Sequence, residues 1–73
     1  MLNMEKTLKN LMGMKVTDDF ENDVICAFES DEEILVSKQR GRNEDYQAYE
    51  NLEDAPIVCI KIEDNTVTEV WEA

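Results

Sequence analysis

Carboxylates are the reactive inventory of this sequence: Asp18, Asp19, Glu21 and Asp23 lie together, and Glu29, Asp31, Glu32 and Glu33 follow. Paired carboxylates do acid/base chemistry when a concave site holds one neutral and the other ionised. Consecutive carboxylates in turn-like sequence are more often solvated, which favours a binding surface over a catalytic pair. There is no His, so the side chain best suited to proton transfer near neutral pH is missing. Neither a Ser-His nor a Cys-His pair can form. Cys26 and Cys59 fit no CxxC or zinc spacing. Gly13 and Gly41 are isolated, so no phosphate-cradling loop is present. The segment DDFENDVICAFE lacks the central Gly and alternating ligands of a hand-shaped calcium loop. The expectation is a non-enzymatic protein without cofactor or metal.

Eighteen acidic residues stand against seven basic ones, for a net charge of -11. From Val16 through Ser37 there are eight carboxylates and no Lys or Arg, and Glu44, Asp45, Glu50, Glu53 and Asp54 form a second acid-only stretch. This balance disfavours direct binding to nucleic acid or to an acidic membrane. Its natural complement is a protein with a basic surface. The acidic face is expected to comprise Asp18, Asp19, Glu21, Asp23, Glu29, Asp31, Glu32, Glu33, Glu44 and Asp45. Duplex DNA carries one charge per about 1.7 Å of axis, and a row of carboxylates on so small a domain could approach that density. The chain would then block the basic groove of a nucleic-acid-processing protein. In size and acidity it is similar to the DNA-mimicking inhibitors encoded by bacteriophages and mobile elements, a likeness of composition with no motif behind it.

Lys38-Gln39-Arg40-Gly41-Arg42 is the local exception. With Tyr46 and Tyr49 as stacking surfaces it would suit nucleic acid. Three cations among flanking acids point instead to internal pairing or self-association. The alternative function is accordingly a self-associating structural or accessory domain, a homodimer joined through Met4, Leu8 and Trp71. Trp is enriched at binding hot spots, and Met gives an adaptable contact face. No stretch approaches the roughly 20 apolar residues that cross a bilayer. The opening MLNMEKTLKN is not a secretory signal, so a cytoplasmic setting with both cysteines as buried free thiols is expected.

A single α+β domain over residues 1–73 must position these groups. Met4, Leu8, Leu11 and Met12 form a helix stripe from about 4 to 12, with Asn3 as cap and Gly13 as stop. Residues 17–29 are ambiguous. Phe20, Val24, Ala27 and Phe28 fit a helix, yet Val24, Cys26 and Phe28 alternate as a strand does. A hairpin of 24–29 with 33–38 is favoured. Asn43 could cap a short second helix carrying Tyr46, Tyr49 and Leu52 or Glu53, ending before Pro56. The clearest hairpin joins 57–62 to 66–71. A tight turn at Asp64 and Asn65 would put Glu69 on the core face with Val67 and Trp71, so Glu69 needs an edge, a bulge or a longer turn. The expected architecture is a four-stranded antiparallel sheet from two hairpins, covered by the N-terminal helix, with Trp71 closing the core against it.

Overall fold

Asn3 opens the first element as its type suggests. In the computed structural model, which describes residues 3–51 and 55–73, the Asn3 Oδ1 accepts the Lys6 N–H at 3.1 Å. That satisfies one of the donors a helix start leaves free. Helix α1 spans Met4–Leu11. Gly13, at φ +82, supplies the left-handed conformation that stops it. Thr7 and Leu11 are buried, and Met4 and Leu8 pack against the margin of the core.

The second element corrects the expected strand at 24–29: helix α2 spans Phe20–Ala27. Phe20, Val24, Ala27 and Phe28 are buried, whereas Cys26 is exposed. A strand would have put Cys26 on the same face as Val24 and Phe28. A short apolar run such as VICAF suits a strand and a buried helix equally. Ala27 settles the matter, because only a helix brings it onto the face of Phe20 and Val24 while turning Cys26 outward. Glu21 and Asp23 in the first turn also meet the positive end of the helix dipole.

The sheet follows as β1 (Leu35–Lys38), β2 (Tyr46–Tyr49), β3 (Val58–Glu63) and β4 (Thr66–Glu72). Each strand is antiparallel to the next, in the order β1-β2-β3-β4. The α+β class and the four-stranded antiparallel sheet are as expected, but β2 occupies the place foreseen for a short helix. Leu52 and Glu53, which that helix included, lie outside the described residues. Alternation explains the outcome: Tyr46 and Ala48 face the helices, while Gln47 and Tyr49 face away. The Tyr46 ring meets Phe20 of α2, with centroids 5.0 Å apart. Both helices cover this one face, whose core includes Leu11, Val24, Phe28, Ala48, Val58 and Ile60.

Asp64 and Asn65, at φ 51 and 59, make the type I′ turn that suits the twist of a hairpin. Glu63 pairs with Thr66 and Ile62 with Val67, but Lys61 pairs with Glu69, leaving Thr68 as the extra residue of a bulge. The bulge is how Glu69 escapes the core. It puts Val70 opposite Ile60 on the helix side and Trp71 opposite Cys59 on the far side. Trp71 therefore does not close the core against α1. Asp45 Oδ2 accepts the Ile62 N–H beside the bulge at 2.7 Å. Along the outer edge of β4, Val67 exchanges main-chain bonds with Gly13 and Met14, and the Val16 N–H donates to the Asn65 carbonyl.

Removing the Asp45 acceptor strands a half-buried donor. Asp45→Ala is expected to lower stability by roughly 1–3 kcal/mol in urea titration, and exposed Glu69→Ala by less than about 0.5. Equal effects would deny Asp45 its hold on the bulge.

Candidate functional site

The acid-only stretch folds as α2 and its two connections. The buried stripe of α2 turns its other face outward, leaving Asp18, Asp19 and Glu21 exposed and Asp23 half-buried. Asp31, Glu32 and Glu33 are exposed in the α2–β1 connection. An eight-residue helix is about 12 Å long, so α2 separates the two groups by roughly that span. The N-terminal group is locally ordered: Thr17 Oγ1 donates to Asp23 Oδ2 at 2.9 Å, and Asn22 Nδ2 to Asp19 Oδ2 at 3.3 Å. Asp18, Asp19 and Glu21 also line an open cleft of about 310 Å³ with Thr17, Phe20 and Tyr46. Among the described residues no three Asp, Glu or Cys side chains converge as metal ligands would.

Glu29, just past the end of α2, is tied to α1. Asn10 Nδ2 donates to its Oε2 at 2.8 Å, and Lys6 Nζ lies 3.3 Å from its Oε1. Asn10 also donates to the Ala27 carbonyl at 3.0 Å, satisfying one acceptor of the last turn of α2. The Asn10 bond, then Lys6, holds the Glu29 carboxyl below the ordinary carboxylate range. Among the described residues it is the one acid of the eight with an ion pair.

Glu44 and Asp45 do not join this surface. Asp45 serves the bulge, and Glu44 is buried on the far side of the sheet. Arg42 Nε and Gln47 Nε2 both donate to Glu44 Oε1, at 2.6 and 2.7 Å, and the Tyr49 hydroxyl donates to Gln47 Oε1. The Arg42 bond, followed by the main-chain N–H of Glu44, holds this carboxyl below its usual range. Arg42 is thus internally paired, as its acidic flanks suggested. The available signal was only that Arg42 and Glu44 stand two residues apart in the β1–β2 connection. Lys61 Nζ donates to the Asn43 carbonyl at 3.1 Å. Met4 and Leu8 pack on the helix side, whereas Trp71 lies on the far side. The structure does not bring these three together as one contact.

Both thiols are free, with Cys59 buried as expected and Cys26 exposed against expectation. Burial pushes the Cys59 thiol up, and the Glu44 charge adds to this. No helix among the described residues is long and apolar enough to cross a membrane. In comparisons with known proteins, no family model, curated protein or solved structure matches this chain.

Under native conditions a thiol-reactive disulfide reagent should consume one thiol quickly, at Cys26, and the second only on denaturation. Two equally fast thiols would contradict the burial of Cys59. Glu44 gives a pH test. A carboxylate whose folded pKa is lowered stabilises the fold above its unfolded value, near 4.5, and that stability is lost as pH falls through the folded value. The urea midpoint of the parent chain should therefore fall more steeply than that of Glu44→Gln between about pH 6 and about pH 3. Parallel acid limbs would remove Glu44 as an electrostatic anchor.

Proposed function

We propose that this chain is a non-enzymatic acidic binding protein that presents α2 and its flanks to the basic groove of a nucleic-acid-processing protein. The observation that carries this reading is the acid-only stretch, whose carboxylates are outward or half-buried, with Glu29 alone held in an internal ion pair among the described residues. Eight carboxylates spread over no more than the 32 Å long axis of the domain amount to at least one per ~4 Å. A single DNA strand carries one charge per about 3.4 Å. The spacing is close enough for Arg side chains positioned for phosphate to find carboxylates instead. Opposite potentials would speed the encounter and exclude acidic competitors.

The immobilised chain should retain basic nucleic-acid-binding proteins from a bacterial lysate and release them to excess duplex DNA. Asp31→Lys with Glu32→Lys and Glu33→Lys should retain at least about tenfold less, equivalent to about 1.4 kcal/mol, with the fold confirmed by circular dichroism. Retention that ignores both DNA and the charge reversals would defeat the proposal.

A further inference from the structure

The two edges of the sheet differ. Residues 13–16 cover the start of the β4 edge, and the remainder of β4 carries Glu69 and Glu72. Two copies meeting there would set like charges together, a common protection of edge strands. Among the described residues β1 has no strand on its outer side. The Gln39 N–H donates to the Asp45 carbonyl, which continues the register running from Leu35↔Tyr49 to Lys38↔Tyr46. By antiparallel alternation, the main-chain groups of Leu35 and Ser37 then point to β2, and those of Val36 and Lys38 point outward.

The flanks of β1 have opposite charge. Asp31, Glu32 and Glu33 precede it, while Lys38 ends it and Arg40 follows, all exposed. Among the described residues neither Lys38 nor Arg40 is in an ion pair. Four residues of strand span about 13 Å, so the edge has an acidic end and a basic end a short distance apart. An antiparallel copy reverses that polarity and meets each end with its opposite. Most basic or acidic partners would match only one end.

We propose that β1 is the surface through which two copies of this chain pair, antiparallel about a twofold axis at Ser37, joining their sheets edge to edge. Val36 of each copy then faces Lys38 of the other and exchanges both main-chain bonds with it, so every outward group is used. Glu32 and Glu33 then come to the end at which the second copy carries Lys38 and Arg40. Such an interface is isologous and closes on itself. So short a pairing buries much less than the about 1,600 Å² of a standard interface, so the dimer is concentration-dependent. This inference does not rest on the partner-binding reading, although a second copy would cover Asp31–Glu33 and compete with a basic partner.

The axis at Ser37 gives a direct test. Ser37 would face its own copy as a non-hydrogen-bonded pair with Cα atoms about 4.5 Å apart, inside the disulfide range of about 4.4–6.8 Å. Ser37→Cys, in a Cys26→Ser background, is oxidised mildly at about 0.15 M salt, where the overall repulsion is screened. The control is Lys61→Cys in the same background, on central strand β3. Ser37→Cys should form covalent dimer about tenfold faster than the control, because pairing raises the effective thiol concentration. Arg40→Glu should slow it several-fold, and adding Glu32→Lys should restore it. Equal rates for Ser37→Cys and Lys61→Cys, or indifference to Arg40→Glu, would overturn the proposal. Sedimentation equilibrium of the unsubstituted chain removes dependence on the variants: dimer growing with concentration supports β1 pairing, and a strict monomer into the high micromolar range refutes it.

Discussion

The extra residue at Thr68 decides which way the whole second half of β4 faces. Side chains alternate, so a slip of one residue would exchange the two faces. Without the bulge, the Asp64-Asn65 turn would carry Glu69 and Trp71 toward α1 and send Val70 outward. Burying an unpaired carboxylate costs several kcal/mol, a large part of the roughly 5–15 kcal/mol that holds a small domain together. The bulge avoids this by giving up one ladder position. Its consequences reach the rest of the fold. Val67 keeps its side chain in the core and offers its main chain to Gly13 and Met14, which ties the end of α1 to the sheet. Asp45 ties the β1–β2 hairpin to the same place.

With two helices on one side, the other side of the sheet has to be satisfied by its own side chains. Glu44, Gln47 and Cys59 are buried there. Glu44 accepts from Arg42 and Gln47, and Gln47 accepts from Tyr49, so the polar atoms answer one another along β2. Among the described residues, no buried side-chain nitrogen or oxygen lacks a partner. That matters because a half-satisfied polar group in such a place costs more than an apolar one. Arg42 is mostly exposed at 61% while Glu44 is only 7% exposed. The guanidinium thus shields the carboxylate while its own remaining donors stay in water. The basic hairpin loop is divided by this arrangement: Arg42 is spent on the fold, and Lys38 and Arg40 are left to the surface.

Legibility in the sequence followed how local each signal was. Helix α1 needed only its stripe, the Asn3 cap and Gly13, all within eleven residues, and it formed as read. The β3–β4 hairpin and the need for Glu69 to escape were equally local. Only the choice of a bulge over a longer turn required the structure. Helix α2 and strand β2 were exchanged because each is short and ambiguous on its own. VICAF alternates convincingly until Ala27 is found buried beside Val24 with Cys26 turned outward, and the tyrosines at 46 and 49 mimic a helical pair until β1 and β3 enclose them. Of the acidic residues singled out, those from Asp18 to Glu33 fall on α2 and its connections. Asp45 became structural because its partner, Ile62, is set by strand register, and Glu44 because the chain folds it back onto Arg42 and Gln47. Composition carries no information about register.

The acids around α2 are not equivalent once the helix itself is considered. Asp19, Glu21 and Asp23 lie at its N-terminal end, where each carboxylate gains about 0.3–1 kcal/mol from the helix dipole. Their presence therefore has an account within the fold. Glu29 lies at the opposite end, where the dipole disfavours negative charge and where α2 carries no base in its last turn. That is the acid to which α1 brings Lys6 and Asn10. The fold thus neutralises the one carboxylate whose position is costly and leaves unpaired those that the helix tolerates. Asp31, Glu32 and Glu33 fall outside both cases. They are beyond the reach of the dipole, exposed, and without an ion pair among the described residues. Three adjacent like charges repel one another and give nothing back to the folded state. A binding role for the acidic surface is therefore argued most strongly from these three, whether the cation they meet belongs to another protein or to a second copy of this chain.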